Sequence, residues 1–188
     1  HLGTAKRWPL GLAKGMIAAM KTLLARRSLL AGSTALMALA PLRTFAQATE
    51  AMARGVVNAA DFGMLPSTDG AGPDQSPKLA EALGVAAALG LPLFVPGGVY
   101  AVGNVALPSS TTVFGVRGAT RLVWPSGGPI LQAQAGSNIV LRDLGFDGMG
   151  SAGSDGGLLS FVECETLELD GLSVANGSGA GSGVSVQH

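Results

Sequence analysis

The sequence has a single cysteine, Cys164, and only two histidines, His1 and His188, at the extreme ends of its 188 residues. One cysteine excludes a disulfide scaffold and a CxxC zinc site. Histidines confined to the termini leave no base for a Cys–His nucleophile and no multi-histidine metal centre. Charged residues are scarce at 13%, roughly half the usual share of about 25%. Aromatics are at 5%, thin for a surface that stacks sugars. Glycine is what abounds, with 29 residues, roughly twice the average usage of about 7%.

The net charge of zero averages two unlike pieces. Residues 1–48 carry seven positive side chains and no acid, whereas residues 49–188 hold five positives against all twelve acids, a net of −7. A basic head on an acidic body is a targeting pattern rather than one folded surface. The acidic body also excludes nucleic-acid binding, which needs clustered Lys and Arg.

The head reads as an export signal. Arg26 and Arg27 stand directly before residues 28–42, an uncharged stretch, followed by Arg43 and the triplet Ala46-Gln47-Ala48. Basic region, short apolar region and A-x-A site, with Ala46 and Ala48 flanking, form a signal peptide. The paired arginines point to the twin-arginine route, with the Tat translocase as transient partner and a periplasmic or extracellular destination. Fifteen uncharged residues interrupted by Gly32 and Pro41 fall short of the roughly 20 a membrane span needs. No permanent span is expected. With a natural start at Met20 or Met16, the division is 1–19 upstream sequence, 20–48 signal peptide and 49–188 exported body.

Behind a short lead-in at 49–54, a Ser/Asp/Gly/Pro-rich loop runs from Pro66 to Pro73. Ser76-Pro77 suits a helix start, with Ser76 as N-cap and Pro77 where no N–H bond is lost. Leu79, Ala82, Leu83, Ala86 and Ala87 recur on one helical face, and Gly90 and Pro92 end it. Only short strands follow, at 91–95, 99–102, 111–116, 121–124, 130–133, 139–144, 158–162, 167–172 and 183–186. Without recurring helices between them, a doubly wound fold is excluded.

These strands repeat. Val113, Leu141 and Leu169 are spaced by 28 residues, and Val116, Leu144 and Leu172 keep that interval after Gly115, Asp143 and Gly171. Residues 145–148, Gly-Phe-Asp-Gly, match Ser-Val-Ala-Asn at 173–176. A fixed period of short strands and turn residues marks a stacked β-solenoid, all-β in class.

Asp61-Phe62-Gly63, Gly72-Pro73-Asp74 before a helix, and Phe94-Val95-Pro96-Gly97-Gly98-Val99-Tyr100 resemble the N-terminal region of pectate-lyase-like proteins. Residues 115–123, Gly-Val-Arg-Gly-Ala-Thr-Arg-Leu-Val, resemble twin-arginine-translocated repetitive β-helix proteins. The resemblance implies a right-handed parallel β-helix whose N-terminal end is capped by the helix at 76–89. It also implies further coils beyond His188, so that any catalytic coils of a polysaccharide lyase or hydrolase lie outside these residues. Acidic polysaccharide is the implied partner.

The chemistry offered by the coils themselves is modest. Asp143 and Asp147 are a carboxylate pair in principle suited to acid/base work, but both sit at turn positions. Glu163, Glu165, Glu168 and Asp170 alternate with Val162, Cys164, Leu167 and Leu169, which reads as a solvated face rather than a Ca²⁺ site. Arg117 and Arg121 are expected to pair with Asp143 or Asp147 of the next coil rather than with an acidic sugar. Residues 177–183 lack the GxGxxG and Gly-Lys-Ser/Thr patterns and read as a wide turn. Cys164 reads as a small buried apolar residue. No catalytic residue, cofactor or metal is assigned. Two functions stay open: an exported carbohydrate-active β-helix, and a non-catalytic repetitive envelope protein.

Overall fold

The structure is a computed structural model that describes residues 39–124, 128–150, 157–177 and 183–188. The chain divides into two compact units, His1–Ala46 and Gln47–His188. Helix α1 spans Leu39–Arg54, so the short lead-in at 49–54 forms its last turns. Ala51 buries its methyl in the core, while Gln47 donates from its side-chain amide to the Asp61 carbonyl at 2.6 Å. Arg54 adds an ion pair to Asp61 at 2.9 Å. These contacts give the helical register a reason that the local sequence lacks.

Strand β1 (Val57–Asn58) leads into a 3-10 turn at Ala59–Phe62, whose first turn is capped by the Asn58 side chain. Helix α2 (Ser76–Leu89) buries Leu79, Ala82, Leu83 and Ala86 on one face, as their spacing predicts, and stops at Gly90. Its start differs from expectation. Gln75, not Ser76, is the N-cap, because the Gln75 carbonyl accepts from Leu79 N–H at 3.1 Å. Ser76 Oγ is engaged elsewhere, accepting the Gly103 N–H at 2.9 Å. Gln75 itself is only 2% exposed. Its amide exchanges two hydrogen bonds with the backbone of Leu65, at 2.7 and 2.8 Å, which satisfies a buried polar group and ties the preceding loop to the helix.

Among the described residues four coils follow, each with three short strands. β2 (Leu93–Phe94), β3 (Gly98–Ala101) and β4 (Val105–Ala106) make the first; β5 (Thr112–Phe114), β6 (Thr120–Val123) and β7 (Leu131–Gln134) the second. β8 (Ile139–Arg142), β9 (Gly145–Asp147) and β10 (Leu159–Val162) make the third; β11 (Leu167–Asp170), β12 (Ser173–Ala175) and β13 (Val184–Gln187) the fourth. Equivalent strands pair in parallel into three sheets: β1-β2-β5-β8-β11, β3-β6-β9-β12 and β4-β7-β10-β13. This is a parallel β-helix, wound right-handed by the crossover rule for parallel strands. Helix α2 packs against β1, β2 and β4 and covers the start of the stack, where unpaired edges and apolar side chains would otherwise meet water.

The 28-residue period holds in the first sheet, where Val113, Leu141 and Leu169 are register partners. It fails at Val116. Residues 116–119 form an extra turn, closed by the Ala119 and Thr120 N–H groups on the Val116 carbonyl, and leave Val116 42% exposed. Thr120 takes the inward slot that Leu144 occupies one coil later, since Arg121 pairs with Gly145. Its hydroxyl bonds Val116 N–H and the carbonyls of Val95 and Pro96. The one-coil match between residues 145–147 and 173–175 is the register of β9 with β12, two strands that the alternation pattern alone did not reveal.

Inside the stack run Val113, Leu141, Leu122, Phe146, Leu131, Leu159 and Phe161, all buried. One interior position is discordant. Thr111, in line with Ile139, is buried, and its hydroxyl is the one buried side-chain polar atom without a hydrogen bond among the described residues. Such a hydroxyl costs about 1–3 kcal/mol.

Candidate functional site

The charged side chains form a ladder on the outside. Arg117 Nε donates to Asp143 Oδ1 at 2.5 Å, and Arg121 lies 3.5 Å from Asp147. Both pairings are those the sequence predicts. A third pair, Arg142 with Glu168 (Nε to Oε1, 3.1 Å), was not foreseen. Arg117 also reaches Asp170 at 3.9 Å. The hydrogen bond that Arg117 donates to Asp143, then the charge of that carboxylate, pushes the Arg117 guanidinium above its ordinary pKa; Glu168 does the same for Arg142.

These contacts decide what the acids can do. Asp143 holds a left-handed turn with φ of 55° and is tied to Arg117. Asp147 is nearly buried and accepts from Met149 N–H at 2.8 Å and Asn176 Nδ2 at 2.9 Å, besides facing Arg121. Each carboxylate therefore braces a turn. Gly171 repeats the Asp143 turn one coil on, with φ of 62°. A Cβ there would stand 2.4 Å from Arg117 Nη2 and 2.5 Å from Asp143 Oδ1, so a side chain at this position would push the exposed arginine tip aside, besides straining the left-handed backbone. Glu163, Glu165, Glu168 and Asp170 are exposed, as expected, but Val162, expected to point inward among them, faces out instead, because it stands in register with Gln134 and Gln187 while its neighbour Phe161 fills the core. Cys164 is buried, its Sγ lying 3.6 Å from the Val162 carbonyl oxygen. Among the described residues, no group of His, Cys, Asp and Glu side chains is arranged to hold a metal ion.

The third sheet carries a concavity among the described residues. A groove of about 320 Å³ is lined by Ala106, Leu107, Gln132, Gln134, Ser160 and Val162 with Ala133. Register builds it: Ala106, Gln132, Ser160 and Ser185 form one row, and Gln134, Val162 and Gln187 a second. Their neighbours Leu131, Leu159 and Phe161 point inward, so alternation turns the glutamines and serines outward. None of the lining groups is charged. Neutral amides and hydroxyls both donate and accept, which suits a hydroxyl-rich ligand without charge. Sequence reasoning passed over them because an outward Gln on a strand carries no motif; the one available signal was the repeated Gln-Ala-Gln alternation at 132–134.

Of the export residues, Arg26 and Arg27 lie outside the described residues, as does most of the 177–183 turn. Ala46 and Ala48 fall within α1. Among the described residues no helix is long and apolar enough to cross a membrane.

Sheet topology and register thus define the class, a three-faced parallel β-helix with an N-terminal helical cap. No protein-family profile and no curated protein sequence matches the chain. Solved structures that resemble it include ORF18 of Geobacillus virus E2, with a TM-score of 0.55 and 15% identity over 69% of this chain and 28% of that one. The A-module of the mannuronan C-5 epimerase AlgE4 of Azotobacter vinelandii aligns with a TM-score of 0.44 and 22% identity, covering 60% of this chain and 37% of that module. The chain thus spans 28% and 37% of the length of these two structures.

Proposed function

We propose that this is an exported bacterial β-helix that binds polysaccharide in the groove on its third sheet. The observation that carries the reading is the pair of in-register rows, Ala106–Gln132–Ser160–Ser185 and Gln134–Val162–Gln187. Strands stacked about 4.8 Å apart present a repeated set of uncharged hydrogen-bonding groups to a repeated chain of sugars. Binding is favoured over bond cleavage because Asp143 and Asp147 are already engaged by Arg117 and Arg121. The same engagement supports the runner-up, a non-catalytic structural element of the envelope.

Native gels cast with alginate, polygalacturonate, xylan or hydroxyethyl cellulose test the reading. At least one polymer should retard the protein. Gln132→Ala with Gln134→Ala should weaken that retardation about tenfold, the loss of one or two net hydrogen bonds. Migration unchanged in every gel would leave only the structural role.

Export by the twin-arginine route belongs to the same proposal and rests on Arg26, Arg27, the uncharged stretch 28–42 and the Ala46–Ala48 site. Replacing both arginines with lysine should abolish the processed periplasmic species, seen by fractionation and immunoblot. Undiminished processing in that variant would exclude the route.

A further inference from the structure

The outer face of the first sheet holds a feature to which no sequence motif points. Phe94 and Phe114 are register partners in β2 and β5, and Arg142 of β8 follows Phe114 in the same column. Their strand neighbours Leu93, Val113 and Leu141 fill the core, so all three point outward. The two rings stand 5.1 Å apart and are tilted by 36°. Both are half-buried, and neither packs against the core cluster. Glu168 holds Arg142 through both Nε and Nη2 on one oxygen, which restrains the guanidinium.

We propose that Phe94, Phe114 and Arg142 form a second glycan contact, a rail of three planar groups along the solenoid axis against which successive sugar rings stack. Three classes of ligand commonly lie on aromatic rows, and charge separates them. Nucleic-acid bases stack on such rows only beside a basic groove, and this body carries a net charge of −7, with Asp170 next in the column after Arg142 and Glu168 paired to Arg142. Anionic lipid surfaces require the same missing basic charge. A sugar ring offers an apolar C–H face to phenyl rings and hydroxyls at its rim, and needs no basic patch. The inference rests on the polysaccharide reading but uses a different sheet, so the two faces together would let one molecule bridge two polymer chains.

The same native gels, run with the full-length chain, decide it. Phe94→Ala with Phe114→Ala should weaken retardation about tenfold in the gel that retards the wild type, with the melting transition kept. Phe114→Tyr, which keeps the ring, should migrate like the wild type. Phe114→Leu keeps the apolar bulk without the ring and should lose several-fold, which covers the case that the double variant does not fold. Wild-type retardation in a folded alanine or leucine variant would overturn the rail, while loss confined to the Gln132 and Gln134 variant would leave the groove standing alone. A wild type that no polymer retards would overturn both.

Discussion

Phe161→Ala should lower the unfolding free energy by about 3–5 kcal/mol. Phe161 is fully buried in the third coil, with Ala133 below it in register and Val186 above. Ala133 has only a methyl to offer the vacated space. Val186, on the fourth coil, is 54% exposed and held to the β10 register by the pairing of β13. Neither neighbour can collapse into the cavity without breaking strand pairing, so both the transfer and the cavity contributions apply. For a domain with a stability of about 5–15 kcal/mol this is a third or more of the total. Urea unfolding followed by circular dichroism measures it as a lower midpoint with an unchanged slope. A loss under about 1 kcal/mol would mean that the stack is not packed as described.

Gly103→Ala should be nearly as damaging, by about 3 kcal/mol or more, for the opposite reason. An added Cβ at Gly103 would stand 2.0–2.4 Å from the Cδ2, Cε2 and Cγ atoms of the Trp124 indole. The backbone cannot retreat. Gly103 N–H is held by Ser76 Oγ at 2.9 Å, and the preceding Val102 N–H by the Val123 carbonyl at 2.9 Å. The indole must therefore leave its place over the coil, and the link from the capping helix to the first coil strains with it. Gly118→Ala is the reference, because nothing lies within 4 Å of its Cβ position and only its φ of 72° resists. Comparable unfolding midpoints for the two variants would show that the indole moves at no cost.

The architecture was legible because the third and fourth coils are regular. Each turns from the first sheet to the second through one left-handed residue, Asp143 or Gly171, so apolar residues return every 28 positions and the period can be counted. The second coil hid its true phase because the turn at 116–119 places Val116 at a core interval but outside the core. Strands β9 and β12 are only three residues long, too few for alternation to declare them. The candidate sites were harder still. Outward glutamines at 132 and 134 and outward phenylalanines at 94 and 114 become a groove and a rail only when strands from different coils are laid side by side. The arginine–acid pairs were easier, since opposite charges one coil apart seek each other across any sheet.

Those pairs share one number. Arg117 with Asp143, Arg121 with Asp147 and Arg142 with Glu168 are each 26 residues apart, and in every case the arginine comes first. The attraction therefore has a direction along the chain. A coil that has already wound presents a cation, and the segment still to be wound carries the matching anion. Slipping the incoming strand by one residue would turn its apolar side chains to water and strand the cation at the same time. Each pair thus ties one coil to the next in a single register, adding a modest penalty for slippage to the large one set by the core.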